Sequence, residues 1–80
     1  MEIKVLGPGC GNCRATMALI QQVADARGIS VELRKVENLL EIVESGVMST
    51  PGVLIDGKLV HSGGVPKREK VEQWLAEVPA

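Results

Sequence analysis

Asp56-Gly57 stands between two short apolar runs, Val53-Leu54-Ile55 and Leu59-Val60. Asp-Gly between such runs is the strongest short-range hairpin signal. It therefore constrains the fold more than any other feature of this chain, because the last two strands must be antiparallel neighbours. Upstream, Ile3, Val5 and Leu6 mark a first strand, ended by Gly7-Pro8-Gly9. From Cys10 to Arg27, Met17, Leu19, Ile20, Val23, Ala24 and Ala26 recur at helical spacing, and Gly28 is a natural stop. Ile29 to Val36 alternates: Ile29, Val31 and Leu33 are apolar, Ser30, Glu32 and Arg34 polar, the pattern of a half-buried strand. Asn38 suits the cap of a short helix carrying Leu39, Leu40 and Val43, closed by Ser45-Gly46. After Gly63-Gly64, Pro66 suits a first helical position, with Val71, Trp74, Leu75 and Val78 on one apolar face.

The expected order is β-α-β-α-β-β-α. A helical crossover makes the first two strands parallel, so the class is α/β: a mixed four-stranded sheet with helices on its faces. With no linker, repeat or low-complexity segment, residues 1–80 are read as a single domain. The loop after the first strand leaves its carboxyl end, the usual ligand-facing edge of such a layer.

Phe and Tyr are absent, which requires an aliphatic core; Trp74, the one aromatic residue, is assigned to it by its helical spacing. A chain this short buries about 60% of its unfolded surface. The net charge of −1, with both signs interspersed, makes no electrostatic case for nucleic acid or an anionic membrane, and base-stacking platforms are lacking. No secretion signal opens the sequence and no apolar run approaches the ~20 residues of a membrane span, so a cytoplasmic location is expected.

Cys10 and Cys13 are the only cysteines, and they lie at the junction of the first strand and helix. If Cys10 opens the helix, unpaired N–H groups and the positive end of the dipole face its sulfur and lower its pKa. Cys13, one turn on, is placed to attack a mixed disulfide at Cys10. A structural staple is disfavoured, because so short a loop constrains little of the unfolded chain. Zinc half-sites and soft-metal carriers share the spacing, so Cu(I) or Zn(II) carriage stays open as the alternative at this point.

The element order, Cys10-Gly11-Asn12-Cys13 and Thr50-Pro51 before the Val53 strand together resemble the thioredoxin and glutaredoxin superfamily. The likeness is to its small thioredoxin-like redox-active disulfide proteins, and it extends over essentially the whole chain. It implies a protein-disulfide oxidoreductase or electron carrier, with Cys10 as the attacking thiol and Cys13 as the resolving one. Gly11 and Asn12 then form the motif loop that tunes the redox poise. Pro51 would be cis and face the cysteines, while Thr50 would offer its backbone to an extended substrate. An X–Pro cis bond costs only about 0.5–1 kcal/mol, and proline has no N–H to misplace beside a thiolate. Closing the pair requires the first helical turn to tighten, which Gly11 eases. The Trp that precedes the motif in thioredoxins is replaced by Pro8-Gly9. Gly63-Gly64 resembles the glycine pair of glutaredoxins, but Val65-Pro66 follows where they carry acidic residues that help hold glutathione. The implied partners are disulfide-containing proteins and a thioredoxin-reductase-like dithiol donor, with no cofactor and a monomeric chain. Soft-metal carriers run β-α-β-β-α-β, for which the Asp56-Gly57 hairpin comes too late, and they give no reason for Thr50-Pro51.

The remaining candidates have plainer readings. Arg14 is a solvated helix-face charge, and Lys4 snorkels to the sheet edge. His61 is an edge-strand histidine; with Cys10 and Cys13 it would make only three zinc ligands. Met48 is either core filling or apolar surface beside Thr50-Pro51. The first strand carries no acidic residue to serve as a buried base for Cys13, so water or an acid brought near by folding must take that proton.

Overall fold

The computed structural model describes residues 1–7 and 11–76. Its elements are β1 (Glu2–Leu6), α1 (Gly11–Arg27), β2 (Glu32–Val36), α2 (Leu39–Glu44), β3 (Gly52–Ile55), β4 (Lys58–Ser62) and α3 (Arg68–Ala76). One sheet orders the strands β2-β1-β3-β4. β1 is parallel to β2 and antiparallel to β3, and β3 is antiparallel to β4. The element order and the mixed sheet are those expected.

Asp56 and Gly57 both take positive φ, 49° and 85°, which turns the chain directly from β3 into β4. The turn is tied to the start of β1. The Asp56 amide donates to the Glu2 carbonyl at 2.8 Å, and its carboxylate accepts from the Glu2 amide at 2.8 Å. The β3–β4 ladder contains one irregularity: Val53 opposes His61, whereas Leu54 opposes Leu59, so Val60 is an extra residue on β4.

Alternation along β1 separates the two faces of the sheet. Ile3 and Val5, with Val53, face α1 and α3 and join Cys13, Ile20, Val23, Ala24, Val71 and Leu75 in the main core. On the other face Leu6 and Val36 meet Ile42 of α2 in a smaller cluster. α1 stops at Gly28 (φ 66°), whose amide donates to Asp25, while Ile29 N–H reaches back to the Ala24 carbonyl at 2.9 Å.

That helix stop explains a first difference from expectation. The Ile29 amide is engaged with the helix end, so the second strand starts only at Glu32, which pairs with Glu2; Ile29 and Val31 pack beneath it without joining the ladder. Pro66 is not the first helical residue. Lys67 caps α3, its carbonyl accepting from the Lys70 and Val71 amides, and Pro66 is buried just ahead of it. Asn38 caps α2 as expected, its side chain accepting from the Leu40 and Glu41 amides. The apolar residues of that helix are nevertheless exposed: Leu39, Leu40 and Val43 are 68%, 66% and 72% accessible, and only Ile42 is seated. Trp74 is half-buried at the rim of the core rather than inside it, and Val78 lies outside the described residues.

Candidate active site

Cys13 sits in the first turn of α1 and belongs to the main core, with 1% of its surface accessible. It is disulfide-bonded. Cys10, with Pro8 and Gly9, lies outside the described residues. Gly11 and Asn12 are exposed. Thr16, one turn beyond Cys13, is the one fully polar side chain buried among the described residues, and its hydroxyl donates to the Asn12 carbonyl at 2.7 Å. That bond satisfies a group whose burial would otherwise be unfavourable.

Gly7, at the end of β1, shares the face of Ile3 and Val5 and so points toward α1. A Cβ at this position would overlap Cys13 Sγ and stand 3.5 Å from the Thr50 Cβ. The absence of a side chain at Gly7 therefore lets the Cys13 sulfur and Thr50 approach the same strand end. Sequence reasoning read Gly7 only as a strand stop, because a Gly-Pro-Gly run carries no sign of what packs against it.

The Thr50–Pro51 peptide bond is cis. Thr50 is half-buried and Pro51 buried. The loop before β3 is held from its other side by the Gly63-Gly64 turn, where Gly63 N–H donates to the Pro51 carbonyl at 2.9 Å. Gly63 has φ 81°, and a Cβ there would come 2.5 Å from Ser49 Oγ. Only glycine combines that conformation with that approach. The site residues thus form a short series: Cys13 against Gly7, Gly7 beside Thr50, Pro51 bonded to Gly63.

The other candidates stand apart from this series. Met48 is 93% accessible and fills no core. Arg14 is exposed, and Lys4 reaches an ion pair with Glu2 at 3.9 Å. His61 is on β4, the edge strand, with Nε2 2.9 Å from the Gly64 carbonyl and Nδ1 3.2 Å from Lys70 Nζ. Among the described residues no group of three or more His, Cys, Asp or Glu is placed to hold a metal. A hollow of about 340 Å³ lined by Lys4, Arg34 and Lys35 offers no free cationic site, since each cation has its own carboxylate partner. The hydrogen bond and charge of Glu32, then the charge of Glu2, push the Arg34 guanidinium pKa further up.

A thioredoxin-domain family model matches residues 1–76. The chain belongs to the thioredoxin family. It is 30% identical over 76 residues to a thioredoxin of Methanothermobacter thermautotrophicus, covering 95% of this chain and 99% of that one. It is 34% identical over 73 residues to a thioredoxin of Methanocaldococcus jannaschii, covering 91% and 84%. The structure of thioredoxin 1 from Thermosipho africanus superposes with a TM-score of 0.55 at 22% identity, covering 95% of this chain and 96% of that one, and it shares the fold. Membership of the thioredoxin family brings a thiol–disulfide oxidoreductase role. Among the described residues no helix is long and apolar enough to cross a membrane.

Proposed function

We propose that the chain, acting as a single thioredoxin-like domain, exchanges disulfides of protein substrates through a Cys10–Cys13 dithiol couple. The observation that carries this reading is the burial of Cys13 against Gly7, beside Thr50. A resolving thiol must be shielded from the substrate yet near the docking strand, and Cys13 has that placement. The Cys10 thiolate attacks a substrate disulfide, forming a mixed disulfide and releasing one substrate thiolate. Cys13 then attacks Cys10 Sγ, which closes the Cys10–Cys13 disulfide and releases the second substrate thiolate. Among the described residues no carboxylate is buried to act as a base for Cys13, and in this reading water takes the Cys13 proton. Thr50 offers its backbone to the extended substrate beside Pro51, and Gly11 and Asn12 set the poise of the couple. A thioredoxin-reductase-like dithiol donor restores the two electrons, with the protein working as a monomer in the cytoplasm. The soft-metal alternative asks for a β-α-β-β-α-β order, and the order β-α-β-α-β-β-α of the described residues favours the oxidoreductase reading.

The test pairs two variants on a disulfide-bonded protein. Cys10→Ser should abolish turnover, and Cys13→Ser should accumulate a mixed disulfide detectable by mass spectrometry. Equal trapping by both variants contradicts the assigned roles. The couple should titrate reversibly between about −180 and −280 mV.

A further inference from the structure

The Gly63-Gly64 turn is held by more than its bond to Pro51. His61 Nε2 lies 2.9 Å from the Gly64 carbonyl, and Lys70 Nζ lies 3.2 Å from His61 Nδ1. A carbonyl only accepts and an ammonium only donates, so this geometry defines the neutral tautomer: Nδ1 accepts a hydrogen bond from the Lys70 ammonium while Nε2–H donates one to the Gly64 carbonyl. Trp74 backs the pair, its ring 6.1 Å from the imidazole and 5.8 Å from the Lys70 ammonium. The bulge in β4 makes this possible. Without the extra residue at Val60, His61 would oppose Gly52 and point to the α2 face; with it, His61 opposes Val53 and points toward α3.

We propose that His61, oriented by Lys70, is a positioning residue that holds the Gly63-Gly64 turn against Ser49-Thr50-Pro51, where the turn supports one side of the docked substrate. This inference rests on the reading of Thr50 and Pro51 as the docking strand. The turn meets that strand twice, through Gly63 N–H on the Pro51 carbonyl and through the close approach of Gly63 to Ser49. A turn free to swing would leave one side of an extended polypeptide unsupported, while a small disulfide that touches only the sulfurs would be unaffected. His61 therefore acts on docking and leaves the chemical step alone.

The test measures turnover of insulin as the protein substrate with dithiothreitol as reductant and, for the small disulfide, the single-turnover rate at which the pre-reduced protein, freed of dithiothreitol, reacts with dithiobis-nitrobenzoate. His61→Phe keeps a ring against Trp74 and removes both hydrogen bonds. It should raise KM for insulin about fivefold, the factor equivalent to one hydrogen bond, with kcat and the small-disulfide rate unchanged. His61→Gln, whose amide nitrogen can still donate to Gly64, should return KM to within about twofold of the parent. Lys70→Met releases the tautomer and should raise KM about twofold. An unchanged KM in His61→Phe, or an equal loss on both disulfides, overturns the inference while leaving the oxidoreductase reading intact. Should His61→Phe fail to fold, the exposed Lys70→Met decides: a raised KM supports the positioning role and an unchanged one removes it. A parent protein inactive on both disulfides overturns the functional reading, and this inference with it.

Discussion

On one face of the sheet, Ile3, Val5 and Val53 meet Ile20, Val23 and Ala24 of α1 and Val71 and Leu75 of α3, all at or near zero exposure. On the other, Leu6 and Val36 meet Ile42 alone, with Val47 and Leu54 half-covered beside them. A fully buried aliphatic side chain contributes about 1.5–3 kcal/mol, so most of the hydrophobic stabilisation lies on the α1/α3 face. The two halves of the candidate site divide along the same line. Cys13 is part of the dense core, whereas Ser49-Thr50-Pro51 follows α2, the sparsely seated helix. The Cys13 sulfur is thus built into the densely packed layer, and the proposed docking strand is reached through the lighter one.

The strongest way to break this comparison is to remove one isoleucine from each face. Ile20→Ala should cost about 3–4 kcal/mol in urea unfolding, because its cavity is enclosed on all sides. Ile42→Ala should cost about 2 kcal/mol, the low end of the range, since its exposed neighbours can collapse onto the gap. Equal losses would show that the α2 face is packed as tightly as the other. Next in size is Asn38→Ala, which removes the acceptor of the Leu40 and Glu41 amides. It should cost about 1 kcal/mol and speed amide exchange within α2, with the α1 amides unaffected. Exchange rising in both helices would mean that the faces unfold together. The smallest effect is expected for Leu40→Ser, an exposed position, with unfolding free energy held within about 0.5 kcal/mol. A larger loss there would mean that the α2 leucines are covered in solution.

The helical stretch ending at Gly28, the cap at Asn38 and the Asp56-Gly57 turn were all legible in the chain, because each depends on residues within a few positions of one another. The apolar period predicted which side of α1 is buried, and Ile20, Val23 and Ala24 lie there. The same reasoning misjudged Trp74. Helical spacing says which face a residue occupies but not how far the facing sheet extends, and Trp74 lies at its rim beside His61 and Lys70. Leu39, Leu40 and Val43 illustrate the same point: a six-residue helix over a thin cluster has room to bury one side chain, and Ile42 takes it.

Local sequence by itself determined the order of elements, the antiparallel hairpin, and the place of Cys13 in the first turn of α1. Tertiary structure alone decided what meets the site. Gly7 serves the Cys13 sulfur only because β1 ends opposite the first turn of α1. Gly63 reaches Pro51 only because β4 returns beside β3, and His61 faces α3 only because one extra residue shifts the register. Turns and caps are set by bonds between near neighbours, whereas contacts across a sheet depend on strand register, where one residue reverses which face a side chain occupies.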